Sequence, residues 1–255
     1  MSSMLSKCSS LTTIPLLNTS NVIDISQMFQ FCSSLTTIPL LDTNKVTNMS
    51  LMFYGCSSLT SVTQLNTSSV TDMHGMFHGC SSLTSIPQLD TNKVTNMSNM
   101  FRDCSSLTSV LQLNTNNVTD MGGMFYGCSN LTAIPQLNTN KVSYMNYMFK
   151  GCSSLTKIDL TDMKTTSTYY SDEMFINCYL LTKLIIRNMS SVPSLNSNAF
   201  TNCYHFTGIV NSTYNPNGLK DGRIYVPDNM VNTLKSATNW SKYANIIVPL
   251  STLEE

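Results

Sequence analysis

The sequence predicts a solenoid of stacked rungs closed by a distinct C-terminal cap, and three observations carry that prediction. Nine cysteines, Cys8, Cys32, Cys56, Cys80, Cys104, Cys128, Cys152, Cys178 and Cys203, stand 24 residues apart six times in succession and then 26 and 25 apart. Leucine, methionine and phenylalanine columns keep the same register, and past Cys203 the period stops. A fixed period of that size marks a repeat architecture, in which a short unit buries its apolar face only by stacking on its neighbours. The expected fold is α/β or mainly β, with about eight to nine rungs of 24–26 residues built from short parallel strands and helical or irregular returns. The stack covers residues 1–207, and an α+β capping segment covers residues 208–255.

Each rung opens on an apolar pair. Leu35, Leu59, Leu83, Leu107, Leu131 and Leu155 form one inward column, and Ile38, Val62, Ile86, Val110, Ile134 and Ile158 the next. The spacing of Leu155, Ile158 and Leu160, and of Leu181, Leu184 and Ile186, is the LxxLxL of a leucine-rich-repeat strand. In earlier rungs Pro15, Pro39, Pro87 and Pro135 follow the Ile and offer no N–H, so those strands are short.

The second half of each rung carries apolar residues at i, i+3, i+6 and i+7, as in Val94, Met97, Met100 and Phe101, a spacing that suits one or two helical turns. Phe101 is inward and Asn99 is a tolerant polar neighbour on this reading. Asp90 or Thr91 is placed to satisfy free amides or to form an Asx turn. Lys45, Lys93 and Lys141 recur every 48 residues, and Asp24, Asp72 and Asp120 occupy the alternate rungs. A pair of rungs was duplicated, and the Lys and Asp columns are expected close together with a mild register preference.

Beyond the stack, residues 208–210 and 223–226 read as strands around a turn at 215–218. Asp228 stands at an N-cap position before a helix over residues 229–237. Trp240, Tyr243 and the apolar residues 246–249 then cover the last layer, a role every open stack requires. The alternative for Trp240 is stacking on a ligand.

Charged residues make up 11% of the chain against 42% apolar, and the formal net charge is zero. Nucleic acid binding rests on a Lys/Arg excess that releases counterions, so it is not expected. No apolar run approaches about 20 residues, so membrane insertion is not expected either. Met1, Met4, Leu5 and Cys8 align with Met49, Met52, Phe53 and Cys56, so the chain starts inside a rung, without the pattern of a secretory signal. That N-terminal edge is expected to be covered by an upstream chain or by self-association.

Residues 70–89, 94–113 and 118–137 follow the pattern VTxMxxMFxxCSSLTxIPxL. This combination resembles the BspA-like leucine-rich repeat family of bacterial surface proteins, in the Met-Phe-rich subtype of mycoplasma, firmicute, gut-bacterial and phage proteins. The resemblance spans residues 1–207, and the tail from Ile224 is similar to a closing segment found after such repeats. It implies a cell-surface, extracellular or virion-borne binding protein acting in adhesion, with no enzyme activity and no cofactor.

The cysteine column shares the period of the core and reads as a buried, reduced ladder. Disulfides between adjacent rungs and a metal site are the alternatives, although the odd count and the absence of CxxC spacing favour neither. His74 and His78, four residues apart, occur in one rung only and read as surface variation rather than as half of a zinc site. No GxSxG elbow, GxGxxG or P-loop occurs. The methionines fall in two columns of core filling.

One surface column carries a functional reading. Thr36, Thr60, Thr84, Thr108, Thr132 and Thr156 lie in register beside the first Leu, flanked by Gln64, Gln88, Gln112 and Gln136. Facing solvent, they make a neutral hydroxyl and amide strip able to bind a protein or glycan partner on a host or neighbouring cell. The competing reading is that threonine suits an exposed strand through its β-branch. A structural role, as an assembly component of a phage tail or of a larger surface protein, is the alternative function.

Overall fold

The computed structural model describes residues 1–161, 173–189, 192–193, 196–207 and 222–254. The expected strand at 208–210 and the turn at 215–218 lie outside the described residues. The rest is a leucine-rich-repeat-like solenoid. Its core is one continuous column of buried Leu, Ile, Val, Met, Phe and Cys. Eight phenylalanines, Phe29, Phe53, Phe77, Phe101, Phe125, Phe149, Phe175 and Phe200, stack face to face along it, with centroids 5.0–6.0 Å apart and planes within 12°. Offset stacking of this kind adds about 0.5–1.5 kcal/mol per pair beyond burial.

Regular strands appear where the leucine-rich spacing predicts them. β1 (Lys157–Leu160) and β2 (Lys183–Ile186) pair in parallel, with Ile158 opposite Leu184 and Leu160 opposite Ile186. The sheet continues through β3 (Arg223–Val226) to β4 (Ile247–Pro249), so the C-terminal segment extends the stack in register. Arg187 holds Asp159 of the preceding rung with two hydrogen bonds, at 2.9 and 2.7 Å. In the proline-bearing rungs the ladder thins to single contacts. Thr60 N–H donates to the Thr36 carbonyl and Thr132 N–H to Thr108, each at 3.1 Å. Pro39, Pro87 and Pro135 contribute to this, since each removes an amide from its own rung.

The return of each rung is not helical. In the rung of Phe101 the amides of Met97, Asn99, Phe101 and Asp103 donate to carbonyls of the next rung, Asp120, Gly122, Met124 and Tyr126, at 2.7–3.0 Å. The amides between them close three-residue turns, from Met100 to Met97, Arg102 to Asn99 and Cys104 to Phe101. Alternate amides thus point along the stack, which an α-helix does not allow. Two left-handed residues four apart produce this geometry: Asn99 (φ 54°) and Asp103 (φ 58°) here, Gly75 and Gly79 one rung earlier. A chain of four-residue turns places apolar side chains at i, i+3 and i+4 as a helix does, so the sequence spacing alone does not separate the two.

The cap corrects two further expectations. The helix after Asp228 is a 3-10 turn (Asp228–Met230) followed by α2 (Val231–Ser236), a short α1 (Tyr204–Thr207) having closed the last rung. Asp228 does not cap it; its Oδ1 accepts the Ser251 amide at 3.1 Å and ties down the 3-10 turn at Leu250–Thr252 instead. Trp240 is fully buried, donates Nε1–H to the Pro193 carbonyl at 2.9 Å and lies edge-on to Phe200. Tyr243 and Phe206 cover the same ring. Trp240 therefore closes the phenylalanine stack and is not available to a ligand. No helix among the described residues is long and apolar enough to cross a membrane.

Candidate functional site

The cysteines belong to the core, with one exception. All nine are free; Cys8, in the first rung, is exposed and the other eight are buried. Each buried thiol has a hydrogen-bond acceptor that the sequence did not announce. Cys56 donates to the Phe29 carbonyl at 3.0 Å, Cys104 to Phe77 and Cys152 to Phe125, each Phe belonging to the preceding rung. Cys32 uses Leu5, which occupies the Phe position of the first rung. Burial pushes the Cys56 thiol up to about 12 and Cys80, Cys104, Cys128 and Cys152 in the same direction. A thiol so far from ionising is neither a nucleophile nor a metal ligand at neutral pH.

Outside the return, aromatic and charged side chains form a second ladder. Phe31 meets Tyr54 at 4.6 Å, Tyr54 stacks on His78 at 4.4 Å, and Arg102 lies over Tyr126 at 4.3 Å. His78 Nε2 is 3.6 Å from Asp103, and burial is the main cause that lowers its pKa. His74 instead pairs through Nδ1 with Ser98 Oγ at 2.8 Å, so the two histidines are engaged with different partners. Among the described residues no three His, Cys, Asp or Glu side chains converge on one point. The described ion pairs include none between the Lys45, Lys93 and Lys141 column and the aspartates. Lys45 and Lys141 bond the side-chain oxygens of Asn21 and Asn117, while Asp72 and Asp120 accept backbone amides two residues on in Asx turns.

Thr36, Thr60, Thr84, Thr108, Thr132 and Thr156 are all exposed, as are Gln64, Gln88, Gln112 and Gln136. The two columns serve different surfaces. The threonines form a ribbon on which Thr60 and Thr132 hydroxyls donate to the carbonyls of Thr36 and Thr108. The glutamines line a trough that runs along the stack. Its middle stretch, about 730 Å³, is lined by Gln64, Gln88 and Gln112 together with Asn66, Asp90 and Asn92. It continues past Gln136 and Asn138 to Thr161, and in the other direction to Leu16 and Leu40, which replace glutamine in the first two rungs.

The trough is built by the turn after each Gln-Leu pair. Asn66 Oδ1 accepts the Ser68 amide and Asp90 Oδ1 the Asn92 amide, each at 3.0 Å, and Asn18, Asp42, Asn114 and Asn138 repeat this Asx turn in their rungs. Below it Thr43, Thr91 and Thr115 are buried and donate to the next rung's carbonyl at 2.9 Å. Gln64 Nε2 donates to the Gln88 carbonyl and Gln88 Nε2 to Gln112, each at 2.8 Å. A carbonyl accepts only, so these bonds fix the amide orientation and leave Oε1 as the unspent atom. In the sequence the glutamines stand out as a polar column, whereas the Asn and Asp residues read only as turn formers. A second hydroxyl column, Thr47, Thr71, Thr95 and Thr119, is joined by amide-to-carbonyl bonds of 2.8–2.9 Å and is not singled out by the sequence pattern.

Against known proteins, the family described as "Mycoplasma protein of unknown function, DUF285" matches residues 32–130 and 108–213. No curated protein matches the chain. Among solved structures, a leucine-rich repeat protein from Bacteroides ovatus ATCC 8483 is similar at 19% identity, over 97% of this chain, with a TM-score of 0.43. The chain spans 62% of that protein's length. With more than half of its residues matched, the chain belongs to the Mycoplasma family of unknown function DUF285.

Proposed function

We propose that this protein is a noncatalytic interaction module, displayed outside the cell or on a virion, that contacts a protein or glycan partner through its hydroxyl and amide surface. The observation that carries the reading is the trough: a polar groove repeated rung after rung, lined by Gln64, Gln88, Gln112 and Gln136, with the exposed threonine ribbon as a separate second surface. Repetition gives one partner many weak contacts in register, which raises affinity without any single deep pocket. The protonated, buried thiols are compatible with oxidising surroundings, because the thiolate is the form that reacts. Surface plasmon resonance against immobilised glycan and host-protein panels tests the reading. Replacing Thr84, Thr108 and Thr132 with Lys, and separately Gln64, Gln88 and Gln112 with Met, should weaken capture by at least one route while leaving the melting temperature nearly unchanged. Capture unaffected by both sets would remove the surface from the function.

A second reading, assembly, is favoured by a different observation. Met4, Leu16, Ile23 and Leu40 are exposed apolar side chains gathered in the first two rungs, with Leu16 82% and Leu40 69% accessible. Replacing Leu16 and Leu40 with Gln, the residue of later rungs, should abolish any concentration-dependent association seen by light scattering; association that persists would sink this alternative.

A further inference from the structure

We infer that the trough's ligand is an extended, neutral polyhydroxyl chain, a linear glycan, running along the stack with about one sugar unit per rung. The inference rests on the binding role proposed above and adds the ligand class. It starts from which hydrogen-bonding atoms the trough has left. The Nε2 atoms of Gln64, Gln88 and Gln112 are spent on the carbonyls of Gln88, Gln112 and Gln136. Among the described residues, nothing donates to their Oε1 atoms. The glutamine wall is therefore a row of acceptors, one per rung.

Asp42 and Asp90 add a carboxylate every second rung. Each uses Oδ1 for its own Asx turn, and neither has a cation among the described ion pairs. The trough also presents the side-chain amides of Asn44, Asn92 and Asn116, whose oxygens are taken by Asn66, Asn114 and Asn138 and whose Nδ2 atoms make no bond among the described residues. A ligand lying in the trough must donate to the glutamine oxygens at every rung and accept from the asparagine amides at the rungs of Asn44, Asn92 and Asn116.

Spacing decides between a peptide and a glycan. Neighbouring rungs joined by parallel-strand hydrogen bonds lie about 4.8 Å apart, whereas the N–H groups on one edge of an extended peptide recur only every two residues, about 6.7 Å. Over three rungs such a peptide falls out of step by about 4 Å, more than a hydrogen bond tolerates. A pyranose unit in an extended chain advances by about one rung and offers hydroxyls that both donate and accept. It meets the glutamine oxygens and the asparagine amides alike.

Isothermal titration of the whole chain with linear hexasaccharides of glucose, mannose and N-acetylglucosamine, and with an extended polar peptide of equal length, tests the inference. Two variants accompany it. One is Gln64→Met, Gln88→Met and Gln112→Met together. The other is Asp42→Asn with Asp90→Asn, which keeps the fold because sister rungs carry Asn66, Asn114 and Asn138 at that place. The expected result is that at least one hexasaccharide binds, that the Met variant loses about tenfold or more in affinity, and that the Asn variant loses affinity with an unchanged melting curve. Peptide binding with that sensitivity and no glycan binding would overturn the glycan class while keeping the trough as the site. Glycan binding insensitive to both variants would overturn the trough itself.

Discussion

At Gly75 the backbone sits at φ +55°, and a Cβ placed there would meet the Leu51 side chain of the rung below at 2.6 Å. At Gly123 the corresponding clash is with Asn99, at 2.5 Å. Leu51, Asn99 and Tyr147 occupy the same left-handed position in alternate rungs, with φ of 54–59°. A side chain in one rung thus lies over a glycine in the next, which gives the two-rung period a packing cause beyond duplication. Gly75→Ala should cost about 1–3 kcal/mol, from left-handed strain together with the clash. Asn99 is correspondingly less tolerant than its polarity indicates. Asn99→Ala should cost about 1 kcal/mol, since asparagine enters this region more readily than alanine. Phe101→Ala, which opens the centre of the aromatic stack, should cost about 3–5 kcal/mol. Denaturant midpoints of the three variants check the order; equal midpoints for Phe101→Ala and Asn99→Ala would mean that the inward face is misassigned.

At the scale of elements, the inward columns and the two regular strands were legible because both come from residue period, and burial enforces period. The return was not, because its left-handed residues include Leu51 and Tyr147, which nothing in the sequence marks as turn formers. The trough was half legible: Gln88 was visible as a polar column, but its shape comes from Asx turns at Asn66 and Asp90 that read equally well as helix caps. The cap was legible in position from Trp240 and misread in detail, since Asp228 serves a turn that follows it by more than twenty residues. Trp240 carries the cap's packing on Phe200 and its bond to Pro193. Trp240→Ala should therefore cost about 3–5 kcal/mol and expose the last layer, so that the variant associates more strongly than the parent in light scattering. A monomeric variant of parental stability would mean that the last layer is covered by something else.

At the scale of the whole molecule, the thiol ladder makes stability depend on pH in a fixed direction. Cys32, Cys56, Cys80, Cys104, Cys128, Cys152 and Cys203 are all held above the ordinary thiol range by burial. Above about pH 8.5 the unfolded chain ionises its thiols while the folded chain keeps them protonated, so the unfolded state binds fewer protons. Stability is complete below that pH and is lost as pH rises toward the folded values, about 12 for Cys56. Each thiol contributes a slope of about 1.4 kcal/mol per pH unit, so seven together predict a steep alkaline unfolding followed by circular dichroism. Replacing one interior thiol with Ala should make it measurably shallower, and a flat profile to pH 11 would show that burial is incomplete. This column is a closed, structural interior, which leaves the surface to carry function. Native titration with a thiol reagent, without reductant, tests it most directly. The prediction is one fast thiol, Cys8, with the other eight appearing only on denaturation and nine in all. Several fast thiols in the native protein, or fewer than nine after denaturation, would contradict it.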